Sequence, residues 1–172
     1  IAYYTMDTDS INRNTITDLS GNGNDGTVTG PVITEGKIGD ALSFNGNGDM
    51  IGIPDSPSFN LGSIFTASAW IMNSDPSSAE NSRILSKKIN WDDNGGWEAS
   101  LSHPAEGVGN GAMDLIAEGS SYAPFPCVTD WESSDIDQWV HFAAVFNGPT
   151  VTLYCNGINR GSGPITPVTD TA

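Results

Sequence analysis

The stretch WVHFAAVFNGPTVTLYCNGINRG, residues 139–161, decides the fold. Its apolar positions alternate. Phe142, Ala144 and Phe146 fall on one side, and His141, Ala143 and Val145 on the other. Val151, Leu153 and Cys155 then alternate with Thr152, Tyr154 and Asn156. A period of two puts successive side chains on opposite faces of a sheet. Between the two runs lies Asn147-Gly148-Pro149-Thr150. Asn-Gly tolerates positive φ, and proline fixes φ while offering no ladder donor. The stretch therefore predicts a hairpin, and Asn156-Gly157 starts a second turn.

Working outward, short strand signals recur between polar loops. They lie at 2–6, 26–29, 41–44, 50–53, 65–72, 82–88, 97–101 and 113–118. NGNGD (45–49) reads as a hairpin turn between the strands at 41–44 and 50–53, and 31–39 as a loop. No segment of ten or more residues carries a 3.6-residue apolar repeat. The expectation is all-β: a single domain over 1–172, a two-sheet antiparallel jelly-roll sandwich of about ten or more strands.

The 172 residues suffice for one domain with a core. Six Lys plus Arg face 21 Asp plus Glu, a net charge of −15. That field repels phosphate backbones and anionic bilayers, which argues against nucleic acid as a partner. No run of about 18 apolar residues exists, so no membrane insertion is expected. Two cysteines, Cys127 and Cys155, can form one disulfide in an oxidising compartment or stay as buried thiols.

Two clusters carry candidate chemistry. The loop from Asp7 to Asp25 offers Asp7, Asp18, Asn22 and Asp25, with Gly21 and Gly23 between them. Hard cations take six to eight oxygens from such groups. The competing reading is an Asx-rich turn whose side chains bond their own backbone. The second cluster is aromatic: Trp91, Trp97, Tyr122 and Trp131, with Asp92, Asp93 and Asn94 beside Trp91. Aromatic faces stack on sugar rings, and carboxylates and amides bond hydroxyls. The competing reading makes some of these rings core, Trp97 first among them. Trp70 and Trp139 are read as core, and His141 as a hydrogen-bonded structural residue.

Taken in order, ITDLSGNGNDGTV (16–28), GKIGDALSFNGNGDMIGIP (36–54), FTASAWI (65–71), ILSKK (84–88) and WVHFAAVFNGPTVTLYCNG (139–157) resemble the bacterial laminin-G-like domain. That family belongs to the concanavalin A-like lectin/glucanase superfamily. The resemblance implies a jelly-roll sandwich, a structural calcium, and a carbohydrate-binding or adhesive role in a larger secreted or surface protein. It fixes no ligand residues. The family continues past the last NG turn with further strands, which implies either truncation here or completion of the sheet by a neighbouring subunit. The glucanases of the superfamily carry Glu-x-Asp-x-Glu on one strand, and no such triplet occurs here. A retaining glycosidase needs two carboxyls roughly 5 Å apart. Asp114 and Glu118 share a strand face but stand about 13 Å apart when extended. No enzyme is expected. The reading is a glycan or cell-surface partner and an extracellular or surface location, with a fibre-like assembly module as the alternative.

Overall fold

The computed structural model of the chain describes residues 1–74, 82–87, 96–101 and 136–164, and the backbone of 113–117 and 123–124. It resolves into two compact units, residues 1–60 and 61–172. Every strand pair is antiparallel. The helical turns among the described residues are two 3-10 turns, Thr8–Ser10 and Pro57–Phe59.

In the first unit, β1 (Ile11–Asn12), β2 (Thr15–Ile16), β3 (Gly26–Thr29) and β6 (Met50–Gly52) form one sheet in that order. β4 (Val32–Glu35) and β5 (Asp40–Ser43) form a separate pair. Ile16 is fully buried. A Cβ on Gly26 would sit 3.0–3.2 Å from side-chain carbons of Ile16, Ile51 and Ile53, so the bare glycine lets three isoleucines close over the strand.

Three local expectations are corrected here. Residues 2–6 form no strand; Tyr3 instead exchanges bonds with the 18–19 segment. The expected loop at 31–39 contains β4, whose residues are all exposed, so no alternation marked it. NGNGD does not close a hairpin. β5 pairs with β4 and β6 with β3, so this turn passes the chain from one sheet to another.

The second unit holds two four-stranded sheets. One runs β14-β13-β12-β7, built from β7 (Ile64–Met72), β12 (Trp139–Asn147), β13 (Thr150–Cys155) and β14 (Ile158–Pro164). The other runs β11-β10-β9-β8, built from β8 (Ser82–Lys87), β9 (Trp97–Leu101), β10 (Met113–Ala117) and β11 (Ala123–Pro124). Their inner faces share one core. Phe65, Val140, Phe142, Ala144, Phe146, Val151, Leu153 and Cys155 meet Trp97, Ala99 and Leu101. Phe65 stacks on Phe146 with centroids 4.1 Å apart, and Trp97 lies 5.4 Å from Phe65 and 5.7 Å from Phe146. This is a sandwich, sheet packed face to face on sheet.

The 139–161 stretch folds as its alternation requires. Gly148 takes positive φ (62°) at the β12–β13 turn, and its N–H donates to the Ser63 carbonyl at 2.9 Å. Asn156 and Gly157 both take positive φ (49° and 77°), the type I′ geometry that suits a two-residue hairpin. That turn leads into β14. Asn156 also clamps β12: its N–H donates to the His141 carbonyl (2.8 Å), and its Oδ1 accepts the His141 N–H (2.9 Å). Cys155 is buried and disulfide-bonded. The other cysteine, Cys127, lies outside the described residues.

Candidate functional site

Because Phe65 and Phe142 point into the core, strand parity sends Trp70 and His141 outward. Trp70 and His141 are register partners, with rings 5.1 Å apart and tilted by 58°. One step along, Trp139 pairs with Met72; across β12, Tyr154 pairs with Ala143. Trp70 is 44% exposed, and Trp139, His141 and Tyr154 are half-buried. Beyond the aromatic end, the same face continues through Ser68, Ala143, Thr66, Val145, Thr152 and Ser162, all small or of modest size. Thr152 and Ser162 share a 2.7 Å hydroxyl bond.

These placements correct two expectations. Trp70 and Trp139 are not core: each lies one residue out of phase with the phenylalanines of its own strand. Trp97 is core, only 7% exposed against Phe65 and Phe146, and presents no face to a ligand. The remaining expected ligand residues, Trp91, Asp92, Asp93, Tyr122 and Trp131, lie outside the described residues.

On this sheet the outward positions of β7, β12 and β13 carry no carboxylate. Such a surface can pack the apolar side of a ring and bond hydroxyls.

The acids of the first unit do different work. Asp18 is 4% exposed. Its Oδ1 accepts the N–H groups of Tyr3 and Ser20, each at 2.9 Å, and its Oδ2 accepts the Asn24 N–H at 3.1 Å. Burial pushes this carboxyl up, but hydrogen bonds from the Ser20 side chain and from the backbone of Tyr3, Ser20 and Asn24 outweigh it. The net effect holds Asp18 well below the usual carboxylate range. Asp25 accepts the Asp18 N–H at 2.8 Å. The Ile1 carbonyl accepts three side-chain donors: Ser20 Oγ (3.1 Å), Asn22 Nδ2 (3.0 Å) and Asn24 Nδ2 (2.9 Å). Tyr4 donates its hydroxyl to the Asn24 carbonyl. Burial, reinforced by the charges of Asp18 and Asp25, pushes the Tyr4 phenol up to about 12.

Asp7 stands apart from this cluster. Its Oδ1 accepts the Asp40 N–H at 2.8 Å, while Asp40 Oδ2 accepts the Thr8 hydroxyl (2.6 Å) and N–H (3.1 Å). The Thr8 hydroxyl and then its N–H hold the Asp40 carboxyl below its ordinary value, against a smaller opposing effect of burial. Gly39, at φ +65°, closes this clasp, since a Cβ there would come 2.2 Å from Asp7 Oδ1. Among the described residues, no group of three or more His, Cys, Asp or Glu side chains gathers to hold a metal. In this loop Asp25 holds the Asp18 N–H, while the Asn22 amide donates to the Ile1 carbonyl and Ser20 Oγ and Asp7 bonds the Asp40 N–H.

Comparison with known proteins gives the following. Domain 4 of AbnA, a GH43 extracellular arabinanase from Geobacillus stearothermophilus, solved in complex with arabinotriose, superposes with a TM-score of 0.69 at 24% identity, covering 99% of this chain and 78% of that one. An S-layer domain-containing protein from Clostridium thermocellum ATCC 27405 superposes with a TM-score of 0.56 at 20% identity, covering 95% of this chain and 72% of that one. No curated protein matches the sequence. The concanavalin A-like lectin/glucanases superfamily, in its laminin-G form, matches residues 45–172. With its antiparallel sandwich and its family match over most of its length, the chain belongs to the concanavalin A-like lectin/glucanase superfamily.

Proposed function

We propose that residues 1–172 form one non-catalytic glycan-binding domain of a larger secreted or cell-surface protein. The observation that carries this is the aromatic outer face of the β7–β12–β13 sheet. Trp70, Trp139, His141 and Tyr154 offer ring surface beside small hydroxyl-bearing residues, with no acid among the outward residues of those strands. Rings that are apolar in body and polar at the edge suit ligands with one apolar side and one wet side. The neighbouring arabinanase domain, solved with a neutral trisaccharide, supports the ligand class. The extracellular arabinanase and S-layer neighbours, with the disulfide at Cys155, support an oxidising, external setting. Among the described residues, no helix is long and apolar enough to cross a membrane. Trp91, Asp92, Asp93, Tyr122 and Trp131 remain candidate ligand-binding residues.

Calorimetric titration with arabinotriose, xylotriose and cellotriose tests the face. One of these should bind the wild type, and Trp70→Ala should weaken it at least tenfold. Equal binding by both proteins removes the face from the reading. Binding of none removes the reading itself.

A structural calcium belongs to the same proposal, with Asp7, Asp18, Asn22 and Asp25 as its candidate ligands. A carboxylate oxygen that accepts one N–H retains a second lone pair. With few acids gathered, an ion there would draw most of its shell from amide and carbonyl oxygens. Its contribution would be to brace the loop. The melting temperature should rise with calcium and fall with chelator, because an ion held only by the folded state stabilises it. An unchanged value leaves the loop as an Asx turn.

The assembly reading is favoured by the S-layer neighbour alone. Light scattering separates the two, since a monomer at high concentration speaks against completion of the sheet by another subunit.

A further inference from the structure

Five Asn-Gly pairs lie within the described residues: Asn22-Gly23, Asn45-Gly46, Asn47-Gly48, Asn147-Gly148 and Asn156-Gly157. Two more, Asn94-Gly95 and Asn110-Gly111, lie outside them. Asn-Gly is the pair most open to spontaneous loss of a side-chain amide. Glycine has no Cβ to shield its nitrogen or to restrict the dihedrals that bring that nitrogen to the asparagine Cγ. All five asparagines are exposed, so exposure does not rank them. Hydrogen bonding does.

At four of the pairs a reacting group is held. Asn22 Nδ2 donates to the Ile1 carbonyl and to Ser20 Oγ, each at 3.0 Å. Asn45 Oδ1 accepts the Asn47 N–H at 2.7 Å, which pins the Asn45 side chain, and the Asn45 N–H donates to Asp49 Oδ2 at 2.8 Å. The Gly148 nitrogen, which would have to attack Asn147, donates its proton to the Ser63 carbonyl at 2.9 Å. Asn156 Oδ1 accepts the His141 N–H at 2.9 Å. Asn147 and Asn156 also stand in the turns on either side of β13, where the ladders restrict the backbone.

Asn47 differs. Among the described residues, neither its side chain nor the Gly48 N–H makes a hydrogen bond. Gly46 and Gly48 flank it at φ 74° and 85°, and a Cβ on either would meet nothing within 4 Å. The turn thus projects into open space. It joins β5 to β6, which pair with different strands in different sheets, so no ladder has to keep its register across position 47.

We infer that Asn47 is a site of spontaneous deamidation, with water as the co-reactant. The Gly48 backbone nitrogen forms a bond to Asn47 Cγ. The Cγ–Nδ2 bond breaks, and ammonia leaves with the proton that Gly48 gives up. Water then opens the cyclic imide at either of its carbonyls, leaving an aspartyl or an isoaspartyl link at position 47. Each event adds a carboxylate to a chain already at −15. The isoaspartyl form also lengthens the backbone by a carbon, which a turn between separate sheets accommodates. This inference does not depend on the glycan-binding reading.

The test is peptide mapping of the wild-type chain after incubation at mildly alkaline pH, which promotes loss of the glycine amide proton. One sample is kept folded and another is unfolded in guanidinium chloride. Digestion at acid pH keeps the mapping from adding modification of its own. Enzymatic methylation scores isoaspartate, and incubation in oxygen-18 water marks each imide that has opened. Position 47 should convert in the folded chain at a rate close to that in the unfolded one. Folding should slow positions 22, 45, 147 and 156 at least tenfold. Asn47→Gln, whose longer side chain closes a ring far more slowly, should abolish the early isoaspartate in the peptide that carries position 47. The inference is overturned if folding slows position 47 as much as the other four, if another of the five converts ahead of it in the folded chain, or if the early isoaspartate survives in Asn47→Gln. The wild-type comparison alone decides the matter if the variant fails to fold.

Discussion

Asp18 and Tyr4 show how single ionisable groups set the conditions under which the first unit holds. Asp18 titrates below its ordinary range when folded, so the folded state binds that proton more weakly than the unfolded chain does. The resulting stabilisation is present above the ordinary carboxylate value near 4 and is lost as pH falls below it toward the folded value. Asp40 acts in the same direction. Tyr4 has the opposite sign: its folded phenol is raised to about 12 from 10.0, so stability is full below pH 10 and is lost between there and about 12. Melting curves followed by dichroism should therefore fall at both ends. Asp18→Asn should flatten the acid limb and Tyr4→Phe the alkaline one. An unchanged acid limb in Asp18→Asn would remove that residue from the account. The residue types here were readable from the sequence, because Asp, Asn and Gly in a polar run mean turns and caged oxygens. Their partners were not. Asp18 reaches the Tyr3 N–H fifteen positions away, and Asp40 reaches Thr8 thirty-two away. Local composition contains no trace of which backbone donor arrives.

In the strands the code is parity. The alternation in 139–155 specified β12 and β13 and the inner set of Phe142, Ala144, Phe146, Val151 and Leu153, all of them buried. The same parity, carried two residues back, puts Trp139 with His141 on the outside. The reading of Trp139 and Trp70 as core followed their place inside family-like strand blocks instead of their phase. Parity makes a paired prediction. Phe142→Ala should destabilise by about 3–5 kcal/mol, since it empties a fully buried site. Trp70→Ala should cost roughly 1 kcal/mol or less in urea denaturation while removing ligand affinity. Similar losses from both would mean that Trp70 is structural. Partner choice was less legible than strand existence. An Asn-Gly run signals a tight turn, but it leads to a hairpin only where the two flanking strands also prefer each other. Asn156-Gly157 met that condition, and NGNGD did not.

For the molecule as a whole, the architecture was readable because five blocks fell in family order and no helical period competed. The proposed ligand surface was not, because a sheet exposes a face only once its partner sheet is known. The disulfide was an open choice from two cysteines, and at this scale it carries a prediction. Reduction should destabilise the chain by about 2–5 kcal/mol. Calorimetry with and without a phosphine reductant checks this, and an unchanged transition would make the bond dispensable. Strand β7 has a practical corollary. Its residues 65, 67, 69 and 71 serve the core, while 64, 66, 68, 70 and 72 look away from it. Fold and proposed recognition face are thus spelled in alternate letters of one word. A combinatorial library at positions 66, 68, 70, 141 and 143 should yield retargeted binders that express as well as the parent.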